Sequence, residues 1–177
     1  MDIKTRFAHV ALLAEQYENF VTFAEDGMAF LGFSLTEMQA DISEFMQNGP
    51  HLRMVMAQRG EAKSTLAALY AVWRIIQRPS TRVLIVSGGE KQASEVATLV
   101  VRLITTWDIL ECLRPDRQAG DRTSTEAFDV HYALKGLDKS PSVACVGITS
   151  NLPGKRADLL IPDDIETNKN GLTVTQR

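Results

Sequence analysis

The sequence has little of what would place it in a special class. Its two cysteines, Cys112 and Cys145, stand alone without CxxC spacing, so neither a disulfide framework nor a structural zinc site can be read, and a reduced setting fits. No apolar run approaches the roughly 18 residues that span a bilayer. The longest uncharged stretch, 140–154, is broken by Pro141, Gly147 and Pro153. The apolar stretch from Phe7 follows Asp2 and soon meets Glu15 and Glu18, so a signal peptide is not expected. A strong excess of either charge is missing too: 19 Lys and Arg face 22 Asp and Glu, a net −3, and any contact with DNA must therefore be local. His9, His51 and His131 come with no matched serine or cysteine constellation, so they read as structural and a hydrolytic triad has no support. What is present, 177 residues that are 45% hydrophobic and 23% charged, makes one ordinary soluble globular domain. A chain of this length buries roughly 70% of the surface its unfolded form exposes and needs no staple.

Two styles of patterning divide the chain. In residues 1–50, Phe7, Val10, Ala14, Tyr17, Val21 and Ala24 recur at helical spacing, which predicts one packing helix. Thr36-Glu-Met-Gln39 offers a helix start at Ser34 or Thr36, and Met38, Ile42, Phe45 and Met46 give a short apolar face ending near Asn48-Gly49-Pro50. From residue 51 onward short β-rich runs alternate with longer helical ones, the pattern of a mostly parallel central sheet covered by helices. Strands are expected at 52–57, 82–86, 127–132, 142–149 and 159–161, and helices at 63–76 and 90–107, with 114–125 a polar loop and 171–177 a loose end. Pro162 cannot donate to a ladder, so pairing is expected to stop at Ile161.

The strongest local signal is Ala57-Gln-Arg59-Gly60-Glu61-Ala62-Lys63-Ser64-Thr65, lying between an expected strand and an expected helix. A phosphate-binding loop works because successive backbone N–H groups point inward, the following helix offers its positive end, a lysine adds charge and a hydroxyl completes a Mg²⁺ shell. Lys63 and Ser64 are placed for the last two roles. Ala57 and Ala62 stand where the pattern has glycine, and taken alone the segment reads better as an ordinary βα turn with a Lys-Ser helix start. A second motif supports the nucleotide reading: Leu159-Leu-Ile161 leads to Asp163, Asp164 and Glu166, carboxylates just past a buried strand as in a Walker B element. Ligands of such sheets sit beyond the C-terminal strand ends, where both segments can meet one Mg²⁺–nucleotide. Acidic residues at a solvated helix start are the plain alternative.

Together these residues resemble the ATPase domain of the large terminase subunit of tailed double-stranded DNA bacteriophages, particularly its short-tailed phage branch. The likeness is carried by 35–43 (LTEMQADIS), by 58–64 (QRGEAKS), by 83–87 (VLIVS), by Phe128-Asp129-Val130, and by 147–166 from Gly147-Ile-Thr149 through Gly154-Lys-Arg156-Ala-Asp158 to Glu166. The resemblance implies an additional-strand, helicase- or translocase-like P-loop NTPase fold, with residues 1–50 a helical segment packed on a core at 51–177. It implies that ATP with Mg²⁺ is bound by Gln39 at the adenine edge and by Arg59, Gly60, Glu61, Ala62, Lys63, Ser64 and Thr65. Ser64 and Asp163 would hold the metal, and Asp164 or Glu166 would be the base that orients water. Arg59 would stabilise γ-phosphate charge, and Arg102, Arg122 or Arg156 would reach a neighbouring subunit's nucleotide. Ser87-Gly88-Gly89 with Lys91 reads as a plain βα turn that related translocases set near the DNA track.

The implied activity is Mg-dependent ATP hydrolysis driving double-stranded DNA into a preformed capsid. The implied partners are DNA, the portal protein and the small terminase subunit, with a homo-oligomeric ring when docked and a monomer in isolation. The implied setting is the infected host's cytoplasm, outside the mature virion and away from membranes. The family follows this domain with a ribonuclease H-like nuclease; no segment here resembles it, so the chain is expected to be an N-terminal fragment without nuclease activity. Two alternatives stay open: a helicase-like ATPase acting on free nucleic acid, and a catalytically weak nucleotide-binding assembly module.

Overall fold

A computed structural model describes residues 1–58, 60–88, 90–148, 156–163 and 165, the side chains of 90–94 excepted. Three helices come first: α1 (Ile3–Gln16), α2 (Phe20–Phe30) and α3 (Glu37–Asn48). The single packing helix expected over Phe7 to Ala24 is thus two. Asn19 accepts from the Val21 N–H at 2.8 Å and caps α2. Tertiary partners hold the break: Gln47 accepts from Phe20 N–H and donates to Glu18 O, and the Trp73 indole donates to Tyr17 O at 2.6 Å. The break also changes which residues α1 buries. Arg6, Val10 and Leu13 face inward, whereas Phe7 is exposed. On α3, Thr36 is the N-cap as the capping-box pattern predicts, but Gln39 and Ser43 are the buried positions and Met38 and Phe45 are exposed.

Helix α4 (Lys63–Gln77) is buried along most of its length, and with α5 (Glu90–Thr106) it forms the layer beneath the sheet. Strands β1 (Val83–Ser87), β2 (Ala127–Phe128), β3 (Val143–Gly147) and β4 (Leu159–Asp163) make one sheet in the order β2-β3-β1-β4. β1 is parallel to both β3 and β4, and β2 is antiparallel to β3, so the sheet is mostly parallel and its crossovers must be long. Strand alternation sorts the core. Val83, Ile85 and Val143 join the main cluster with the helices, while Leu84, Val86 and Ala144 form a small cluster on the other face. Phe20, Phe23, Trp73 and Trp107 fill the contact between the N-terminal helices and the α4–α5 layer. A 3-10 helix (Asp108–Leu113) and the short α6 (Tyr132–Lys135) complete the described elements.

Three strand expectations are corrected. Residues 52–57 form no strand: Leu52, Met54 and Met56 are 86%, 78% and 86% exposed, and the segment runs beside α4 without a ladder partner among the described residues. The strand expected over 127–132 stops at Phe128, because His131 turns the chain and accepts from Ala133 N–H to start α6. β4 does not stop at Ile161; Pro162 pairs with Val86 and Asp163 with Ser87. Leu159 N–H donates to Arg82 O, and with a two-residue alternation Ile161 and Asp163 aim the same way. The proline's missing N–H therefore faces away from β1, toward the sheet's edge among the described residues, and removes nothing from the β1–β4 ladder. Among the described residues no helix is long and apolar enough to cross a membrane.

Candidate functional site

The site grows from the start of α4. Gly60 has φ +98° and nothing within 4 Å of where a Cβ would stand, so glycine serves the left-handed backbone there, not a close approach. Ala62, the N-cap of α4, also lies in the left-handed region at φ 50° and ψ 31°, and no side chain caps the helix. A left-handed residue feeding directly into a helix turns successive N–H groups toward one point, which is the geometry of an anion-binding nest. Alanine is strained in that conformation by roughly 1 kcal/mol, and its position on the phosphate-loop pattern gives that strain a functional reading.

The loop's side chains are already engaged with one another. Lys63 Nζ donates to Ala57 O at 2.6 Å and Gln58 O at 3.0 Å, so the ammonium lies across the loop's own entry. Gln58 donates to Glu61 at 3.0 Å. Thr65 is half-buried in the first turn of α4. The contact that defines the site is between segments far apart in sequence: Ser64 Oγ donates to Asp163 Oδ2 at 2.9 Å. Asp163 stands at the C-terminal end of β4, level with Ser87 at the end of β1. The loop and the acidic strand tip thus meet at the sheet edge where ligands of parallel sheets sit.

These groups suit a small hard cation. Ser64 Oγ and Asp163 Oδ2 are two oxygen donors within hydrogen-bond distance, and Mg²⁺ characteristically takes one or two protein oxygens while keeping waters and substrate phosphate oxygens. Among the described residues there is no group of three or more His, Cys, Asp or Glu that would form an all-protein cage.

Gln39 is buried, and its carboxamide oxygen accepts from Thr36 N–H at 3.0 Å while Thr36 Oγ1 accepts from Gln39 N–H. A base edge arriving at Gln39 would meet the carboxamide NH2 and the oxygen's second lone pair, or displace that cap. Of the arginines expected to act across a subunit boundary, Arg122 is held by both Asp129 oxygens and by Lys139 O. Arg102 and Arg156 are exposed. Arg59, Asp164 and Glu166 lie outside the described residues, as do Gly89 and the Lys91 side chain.

Sequence reasoning overlooked the groups that fix the frame. Asp158, one residue before β4, accepts from Arg82 N–H, Nε and Nη2 at 3.0, 2.9 and 3.1 Å, with Arg78 at 3.3 Å. Donation from the Arg82 side chain and then its backbone holds the Asp158 carboxyl down at about 2. This clamp joins the N-terminal ends of β1 and β4, the edge opposite the site. Asp129, buried, plays a similar part for the loop after the 3-10 helix, receiving Arg122 and Lys135. Burial acts against its ionised form, yet the hydrogen bonds from Arg122 and Lys135 leave its pKa below the ordinary value. Arg82 and Asp158 are 76 residues apart, a separation that no local spacing rule registers.

The chain matches no family model. It is 35% identical over 139 residues to the terminase large subunit of Enterobacteria phage T3, an alignment covering 78% of this chain and 23% of that protein. The chain therefore spans about a quarter of the length of the curated relative it matches.

Proposed function

Because the chain belongs over its aligned residues to the terminase large-subunit family, we propose that it is the ATPase segment of a viral DNA-packaging motor, hydrolysing ATP to move double-stranded DNA into a preformed capsid. The Ser64–Asp163 contact is the observation that carries this reading, since it brings the phosphate-loop hydroxyl and the acidic strand tip to one point. The family likeness supports a packaging role, and the geometry supports its nucleotide chemistry.

In this reading the triphosphate enters the nest formed at Gly60 and Ala62, and Lys63 leaves the carbonyls of Ala57 and Gln58 for the phosphate oxygens. Ser64 and Asp163 would hold Mg²⁺, which would supply positive charge against the phosphate oxygens. Gln39 reads the adenine edge, and Arg59 adds a donor fork at the γ-phosphate. Asp164 or Glu166 orients the attacking water; comparing Asp164→Asn with Glu166→Gln identifies which. Arg102 and Arg156 are the better candidates for a group acting across subunits, because the Arg122 fork is already filled. The partners of this reading are DNA, portal and small terminase subunit in a ring of identical subunits, assembled in the host cytoplasm.

The test is hydrolysis by Lys63→Ala and Asp163→Asn. Each variant is expected to lose ATP turnover while its circular dichroism stays native; unchanged turnover in either would remove the proposed site.

A further inference from the structure

The segment leading into the loop, 53–58, is neither helix nor strand and joins no ladder among the described residues. Ala57 and Gln58, whose carbonyls receive Lys63, therefore need another source of position. The structure shows an anchor at each end. At the far end Arg53 Nε donates to Pro50 O at 2.6 Å, and its Nη1 donates to Met46 O and, at 2.9 Å, to Tyr70 Oη. At the near end Lys63 grips Ala57 and Gln58.

The two anchors lie on one line. Tyr70 follows Lys63 by seven residues, two helical turns, so both fall on the same face of α4, roughly 10 Å apart along its axis. The four residue steps from Arg53 to Ala57 cover about 13 Å when extended. The lead-in thus runs back along the first two turns of α4, held at both ends. Arg53 also reaches the last turn of α3 through Met46 O, and Met46 stands seven residues after Gln39, on the same face of α3. One guanidinium joins the helix that bears Gln39 to the helix that bears Lys63 and Ser64. Tyr70 is buried, and its hydroxyl also accepts from Arg74 at 3.2 Å, so that end of the anchor is itself fixed.

We infer that Arg53 is a positioning residue of the nucleotide site, setting the phosphate loop in register with the base-side helix α3. This rests on the nucleotide reading above. Lysine cannot replace the fork, because one ammonium point charge does not meet Pro50, Met46 and Tyr70 in the directions that a planar guanidinium does.

The experiment is calorimetric titration of the protein with AMP-PNP in excess Mg²⁺, well below the melting temperature, for wild type, Arg53→Ala, Arg53→Lys, Tyr70→Phe and Lys63→Ala. Misplacement of a binding group by about 1 Å can cost two orders of magnitude, so Kd is expected to rise about tenfold in Arg53→Ala and about threefold in Arg53→Lys and Tyr70→Phe, with binding lost in Lys63→Ala. A lowered melting temperature with wild-type Kd in Arg53→Ala would show a merely structural role and overturn the inference, leaving the site intact if Lys63→Ala still loses binding. Wild-type binding by Lys63→Ala would overturn the site reading itself. Should Arg53→Ala fail to fold, Arg53→Lys and Tyr70→Phe decide: raised Kd in both supports the inference, and wild-type Kd in both sinks it.

Discussion

Replacing Asp158 by asparagine removes the charge that joins the N-terminal ends of β1 and β4. The wild-type carboxylate accepts three bonds from Arg82 and pairs with Arg78, and its side chain is 24% exposed. Its pKa falls from the ordinary 3.8 to about 2, which at about 1.36 kcal/mol per pH unit sets a ceiling of roughly 2 kcal/mol on its contribution to folding at neutral pH. Partial exposure screens the pair, and asparagine keeps one acceptor for the Arg82 N–H, so the expected loss at pH 7 is about 1 kcal/mol. The direction with pH follows from the depressed pKa. The contribution is complete above about pH 5, where the unfolded carboxyl is ionised, shrinks as pH falls toward 2, and is gone only near pH 1. Urea unfolding of wild type and Asp158→Asn across that interval reads the difference directly. It should narrow steadily on acidification and be a small fraction of its neutral-pH size near pH 2. A difference under about 0.3 kcal/mol at pH 7, within the ordinary scatter of surface substitutions, or one that persists unchanged into acid, would refute the clamp.

Two further outcomes bear on the loop and the core. At Ala62, glycine relieves the left-handed strain but adds unfolded-state entropy of similar size, so Ala62→Gly should alter stability by less than about 0.5 kcal/mol, whereas β-branched Ala62→Val should lose more than about 1 kcal/mol; equal urea midpoints for valine and wild type would disprove the left-handed turn. Burial, only partly opposed by the positive charge of Arg6, pushes the Cys112 thiol up to about 11, leaving about 0.1% thiolate at pH 8. Alkylation mapped by mass spectrometry should spare Cys112 in the native protein and label it after unfolding; native labelling as fast as unfolded labelling would contradict its burial.

The amphipathic helices declared themselves through apolar spacing and capping residues. Thr36 and Gln39 form the expected reciprocal cap, and the apolar run over 63–76 becomes the buried helix α4. β1 and β3 were legible as continuous apolar runs because a parallel strand buries both faces. The 52–57 run has similar composition, yet its alternate residues are exposed. Whether an apolar run becomes a strand depends on a neighbour's backbone, which its own residues do not encode.

The sequence by itself determined the α/β character, the starts of α3 and α4 and the residue types expected of a phosphate loop and an acidic tip, since these are read from patterns within a few residues. Only the tertiary structure decided that Ser64 meets Asp163, that Pro162 removes nothing from the β1–β4 ladder, that Arg122 is occupied, and that Arg53 and the Arg82–Asp158 pair hold the frame. Each of these is a contact across many residues, made when elements pack, and charge or composition along the chain carries no record of which partner a fork of donors will find.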